Sequence, residues 1–121
     1  LSQTINSNLE INVVDYVSGD LELIIRNIGG VDIEVNTGSD SPTTALILLE
    51  GTGTVICQTY LGSANADCTL GCGNDIEVGE TQKLVIDLAG DCSLSSYSED
   101  ELILFDLDFS GDVGTGGDFK I

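Results

Sequence analysis

From residue 9 onward the chain alternates apolar and polar residues, and a period of two sends successive side chains to opposite faces of an extended backbone. Leu9, Ile11 and Val13 alternate with Glu10 and Asn12. Leu21, Leu23 and Ile25 share one face of the next segment. Between the two, Ser18 and Gly19 suit a tight hairpin, because glycine tolerates positive φ. A turn at residues 27–30 leads to Val31, Ile33 and Val35, which alternate with Asp32 and Glu34. The run 45–49 is apolar throughout, as in a strand buried on both faces. Residues 54–60 read as a further strand, and Leu84, Ile86 and Leu88 resume the alternation. Within 101–109, Ile103, Phe105, Leu107 and Phe109 share one face while Asp106 and Asp108 take the other. A short strand at 119–121 closes the chain, and residues 36–44, 61–79 and 90–100 read as loops.

Seven to eight short strands separated by turn signals, with no helical periodicity, predict an all-β fold. An immunoglobulin-like β-sandwich is expected, with a small barrel as the alternative. Fifteen glycines and a single proline, Pro42, fit a chain with many turns. With 121 residues there is enough chain for one core, so residues 9–121 are expected to form a single domain. Residues 1–8 are expected to be a linker or the end of a removed N-terminal helix. The start at Leu1 and the lack of any methionine carry the same expectation, that something upstream has been removed. No stretch approaches the ~20 apolar residues of a membrane span.

Cys57, Cys68, Cys72 and Cys92 lie within one 36-residue stretch, 57–92. An even number at irregular spacing in a small acidic β chain points to two disulfides and an oxidising compartment. A structural zinc site is the rival, but it favours paired short spacings, and only Cys68 and Cys72 are near each other. Spacing does not determine connectivity. Favouring neighbours along the chain gives Cys57–Cys68 and Cys72–Cys92.

Twenty-one acidic residues face only Arg26, Lys83 and Lys120, for a formal charge of −18. Such a surface repels nucleic acid and anionic membrane surfaces, both of which bind through Lys and Arg. It suits cations, basic partners or a milieu salty enough to screen self-repulsion. The absence of histidine removes the commonest general base and proton shuttle. Both lysines fall in strand-like segments with no glycine elbow beside them. No catalytic residue is assigned, and a non-enzymatic role is expected.

Calcium is the single cofactor the sequence suggests. Asp106, Asp108, Ser110 and Asp112, continuing to Asp118, set carboxylates at positions one and three, an oxygen at five and Gly111 at six. The pattern then departs from a calcium loop, because Gly117 stands where a bidentate Glu is needed. The competing reading makes Asp106 and Asp108 the solvated outer face of a strand. Asp15 and Asp20, flanking the first hairpin, form a weaker acidic pair. Charged rows along an exposed strand also discourage unwanted pairing, whereas an open edge accepts a neighbour's strand.

Three stretches carry a resemblance to a family. Residues 21–29, Leu-Glu-Leu-Ile-Ile-Arg-Asn-Ile-Gly, are similar to the strand and Arg-Asn-x-Gly turn of the secreted domains of archaeal type IV pilin-like proteins. Residues 77–86, with Gly79-Glu80-Thr81 before a strand, resemble their Gly-Glu-Thr turn. The ending, an acidic strand, a Gly/Thr turn and Phe119-Lys120-Ile121, resembles their closing hairpin. That superfamily includes pilins, archaellins and the β-sandwich accessory proteins of the archaellum motor. The resemblance implies an extracellular or cell-surface structural domain, with an anchoring or polymerising helix upstream of Leu1. Its partners would be copies of itself in a filament, or a cell-envelope protein. Three roles are thereby expected: the outer domain of a surface filament subunit or adhesin, a membrane-anchored envelope-binding module like the archaellum accessory proteins, or a calcium-dependent adhesion domain.

Overall fold

The computed structural model describes residues 9–38, 42–109 and 113–121, so the expectation for residues 1–8 lies outside the described residues. Among the described residues eight strands follow one another: β1 (Leu9–Val17), β2 (Asp20–Asn27), β3 (Thr44–Leu49), β4 (Val55–Tyr60), β5 (Ala66–Leu70), β6 (Thr81–Leu88), β7 (Leu102–Phe109) and β8 (Val113–Lys120). They pair antiparallel into two four-stranded sheets, ordered β1-β2-β6-β5 and β4-β3-β7-β8. That is the immunoglobulin arrangement, with strands A-B-E-D in one sheet and G-F-C in the other, the second sheet widened by one extra strand beside C.

The alternating residues fill the space between the sheets. Leu21, Leu23 and Ile25 of β2 and Leu84, Ile86 and Leu88 of β6 are buried. Opposite them lie Ala45 and Ile47 of β3 with Ile103, Phe105, Leu107 and Phe109 of β7. Each large side chain so buried stabilises the fold by ~1.5–3 kcal/mol, which makes this layer the main cohesive element. Tyr16 stacks on Phe119 with ring centroids 5.3 Å apart, and Phe119 meets Phe105 at 6.2 Å. These rings link β1 of one sheet to β8 and β7 of the other. The hairpin between β1 and β2 turns at Ser18 (φ 51°) and Gly19 (φ 88°), the left-handed pair that a two-residue turn needs to match strand twist.

Four expectations change. Residues 31–35 form no strand: Ile33 and Val35 are buried, but the segment contributes only an isolated bridge, Ile33 with Ile76. The stretch 61–79, expected as loop throughout, holds β5, which is ordered by pairing with β6. The closing strand starts at Val113, because β8 matches β7 residue for residue from Phe109–Val113 to Leu102–Lys120. The disulfides are Cys57–Cys92 and Cys68–Cys72, correcting Cys57–Cys68 and Cys72–Cys92. Chain proximity misleads here because folding brings the short 3-10 turn Gly90–Cys92, which follows β6, against β4, leaving the Cα atoms of Cys57 and Cys92 5.2 Å apart. Cys68 and Cys72 then close a small loop at the edge of the first sheet. Within it Gly71 (φ 91°) passes so near the Lys83 carbonyl that a Cβ would collide with it, and its own carbonyl accepts a hydrogen bond from Gln82 Nε2.

Candidate functional site

The two outer faces of the sandwich differ in chemistry. On the first sheet, β2 and β6 turn Asp20, Glu22, Ile24, Arg26, Lys83, Val85 and Asp87 outward, opposite the buried residues of the same strands. Lys83 Nζ lies 3.4 Å from Glu22 Oε1, a surface ion pair of the kind worth ~0–1 kcal/mol. Ile24 pairs with Lys83 and Val85 with Glu22, so between β2 and β6 each outward apolar residue faces a charge.

The second sheet is different. Alternation along β3 buries Ala45 and Ile47, so Leu46 and Leu48 stand on the outer face, half-buried. Register carries that face across the sheet, because directly paired residues share a side. Val55, Leu48, Leu104 and Asp118 form one row; Gln58, Leu46, Asp106 and Gly116 form the next; Tyr60, Thr44, Asp108 and Gly114 form a third. Val55 is 52% exposed and Tyr60 37% exposed. A leucine shelf thus occupies the middle of a surface that would ordinarily be polar.

The expectation that residues 45–49 would be buried on both faces is met on one side only, since the sandwich supplies a cover for one face and none for the other. Along β8 the glycines leave the shelf's far side open. At Gly116 a Cβ would sit 2.7 Å from the Phe105 carbonyl, so close β7–β8 packing requires glycine there; at Gly117, on the core side, a Cβ would sit 3.1 Å from the Phe105 ring, which would have to give by a few tenths of an ångström. The result is a groove of about 510 Å³ lined chiefly by Leu46, Leu48, Leu104, Asp106, Gly116 and Asp118.

The calcium candidates fall at this groove. Asp106 and Asp108 project from β7 and Asp118 from β8, all toward the outer face, while Ser110 and Asp112 lie outside the described residues. Among the described residues no group of three or more acidic or cysteine side chains is gathered as a metal would require. Asp106 and Asp108 alternate along a regular strand, whereas a calcium loop must curl its carboxylates around one point. We expect the same unfolding midpoint in calcium as in chelator; a rise that scales with calcium concentration would restore the loop assignment.

Asp106 has its proton affinity raised, first by its partial burial beside the leucines and then by the neighbouring Asp108 carboxylate. A carboxyl whose folded-state pKa is raised favours the folded state below its unfolded pKa, and that contribution is lost as pH rises through the folded value. Asp106→Asn is therefore expected to stabilise the domain at neutral pH, by under about 1 kcal/mol after allowance for solvent screening. The gain should vanish at about pH 3, where wild type is already protonated. Midpoints of both proteins across that range check the sign. Tyr16 is likewise raised, by burial and then by Asp20 and Asp87, which keeps its phenol protonated at neutral pH.

A second feature lies at the end of the sandwich where β1 begins and β2 ends. Asn27 is fully buried, and its Nδ2 donates to the carbonyls of Val31 and Ile76, both at 2.8 Å. Its Oδ1 accepts from the Gly29 amide at 2.9 Å, and its main chain exchanges bonds with Glu80 and Gly79. One side chain thus ties the turn after β2 to the turn before β6. These are the Arg-Asn-x-Gly and Gly-Glu-Thr turns of the sequence resemblance, and they present Ile28, Val31 and Val78, 47%, 66% and 53% exposed.

Sequence reasoning singled out the carboxylates and missed the leucine shelf beside them. The signal was present in the uninterrupted run 45–49, which has no polar residue for a solvent face. Leu104 was hidden by its position between inward-facing Ile103 and Phe105.

No family model and no curated protein matches the sequence. Solved structures do match in fold, and two of them are archaellum proteins. The archaellum periplasmic stator protein complex FlaF and FlaG from Sulfolobus acidocaldarius superposes with a TM-score of 0.64 at 15% identity, over 97% of this chain and 92% of that one. The archaellum periplasmic stator protein FlaG from the same organism gives 0.62 at 16% identity, over 92% of this chain and 97% of that one. The likeness spans nearly the whole of each chain and is a likeness of fold.

Proposed function

We propose that this chain is a noncatalytic, extracytoplasmic β-sandwich that acts by protein–protein association in the cell envelope, in the manner of an archaellum accessory protein. The observation that carries the reading is the end-to-end fold likeness to archaellum stator proteins, one of them solved as a complex of two different proteins. Of the roles the sequence suggested, the accessory module is therefore preferred to the filament subunit and to the adhesin. Two disulfides fit an oxidising, extracytoplasmic setting.

Deletion of the gene in its source organism separates the roles. Cells lacking an accessory protein should lose swimming while any adhesive pili persist. Cells that swim normally but lose a surface filament would overturn the accessory reading in favour of the filament subunit.

A further inference from the structure

We infer that the outer face of the β4-β3-β7-β8 sheet is a docking surface for a segment of a different protein that carries apolar side chains together with Lys or Arg. The apolar residues would lie on the Leu46–Leu48–Leu104 shelf, and the cation would sit over Asp106 and Asp118. The inference rests on the reading of the domain as a protein-binding module and gives that module a surface and a partner chemistry.

Three observations converge on it. First, the run 45–49 has the composition of a strand covered on both sides, and the sandwich covers only one. A cross-strand group of leucines on the outer face of a sheet marks a surface meant to be covered. Second, the trough has room where a partner needs it. Gly116 lacks a side chain between Asp106, its direct partner across the strands, and Asp118, two residues along. Diagonal neighbours of this kind are ~7–8 Å apart, within reach of one guanidinium. Third, charge decides the occupant. The face carries Asp106, Asp108 and Asp118 against Lys120 alone, in a chain of formal charge −18. A second copy would bring the same carboxylates against themselves in a partly desolvated setting, where like charges cost most. A basic segment relieves that repulsion, and it favours the ionised form of Asp106, which partial burial otherwise opposes.

The test uses the 121-residue chain, isotope-labelled, and three synthetic peptides of equal length: alternating Leu/Arg, alternating Leu/Glu and alternating Ser/Arg. Amide shifts in nuclear magnetic resonance locate the contact. The Leu/Arg peptide is expected to move resonances of β3, β7 and β8 and to leave β2 and β6 in place, with Leu/Glu silent and Ser/Arg weaker by about tenfold or more. Asp106→Asn with Asp118→Asn should weaken Leu/Arg binding by about tenfold; Glu22→Gln on the opposite face should not change it. Both variants alter outward side chains, and their unfolding midpoints verify the fold. Equal binding of Ser/Arg and Leu/Arg, or shifts spread over both sheets, would reduce the effect to bulk charge and overturn the inference. A dimer in sedimentation that Leu48→Lys dissociates would also overturn it, by making a second copy the occupant. Neither result bears on whether deletion abolishes swimming, so the two readings fail separately.

Discussion

Replacing Cys57 and Cys92 together by alanine is expected to lower the unfolding midpoint by about 10–20 °C, whereas the same change at Cys68 and Cys72 should cost roughly half as much. Closing a loop removes entropy from the unfolded chain in proportion to the logarithm of its length. The first bridge spans a separation of 35 residues and the second a separation of 4. The chain-entropy relation then assigns about 3.8 kcal/mol to the long bridge and about 2 kcal/mol to the short one. For a domain of this size each kcal/mol moves the midpoint by about 3–5 °C. Placement adds to the contrast. Cys92 is fully buried and Cys57 nearly so, and their bridge joins β4 of one sheet to the turn leaving β6 of the other. Cys68 and Cys72 staple a peripheral loop. Calorimetry of the two double variants decides the matter; a larger loss from the short bridge would contradict this account. Mass mapping of the native protein without reductant should also recover the two bridged peptides and no free thiol.

Replacing Asn27 by alanine should cost about 2–4 kcal/mol and loosen two distant turns together. The side chain makes three hydrogen bonds, and each group left unpaired in a buried place costs ~1–3 kcal/mol. The full sum is not reached, because the Ile76 carbonyl still accepts from the Ile33 amide. The Gly29 amide and the Val31 carbonyl lose the side chain that held them. Asn27→Asp should be worse at neutral pH, since it removes the two donated bonds and buries a charge facing carbonyl oxygens. That excess should shrink as pH falls towards the ordinary carboxylate range and be gone below it, because burial raises the introduced acid's pKa in the folded state and the acid is neutral in both states there. Hydrogen exchange gives the specific signature. Amides of residues 28–33 and 76–80 should lose protection together while β3 and β7 keep theirs. Loss confined to one of the two turns would mean that Asn27 does not couple them.

The two experiments probe parts of the molecule that were unequally readable. In β2 and β7 every inward apolar residue could be named beforehand, because long strands of strong β-formers leave the core one choice of face. The Ser18–Gly19 turn was equally legible, since its residues meet a backbone requirement that few others satisfy. β5 and β8 were not legible in that way. Ala66-Asp67-Cys68-Thr69-Leu70 does alternate, but it is short and lies among glycines and polar residues, and it becomes a strand because β6 offers it an edge. Residues 113–120 contain three glycines and little β propensity, and β7 extends them by pairing along its whole length. Conversely, residues 31–35 alternate well but find no partner strand, so Val31 is left 66% exposed.

The candidate site divides along the same line. Asp106, Asp108 and Asp118 drew notice as a sequence pattern, yet a pattern of oxygens along a strand does not converge on one point. Leucines at 46, 48 and 104 drew none as a group, because they come from two segments more than fifty residues apart. Only the β3–β7 register makes them neighbours.

Local periodicity by itself determined that this chain is all-β with a Leu/Ile/Phe core and an acidic exterior, because side-chain alternation is a property of each strand taken alone; the choice of sandwich over barrel came from the strand pairing. Only the tertiary structure decided which cysteines join, which weak segments become strands, and which apolar residues the core leaves uncovered. Those outcomes depend on pairing between distant segments, where partner geometry outweighs local propensity.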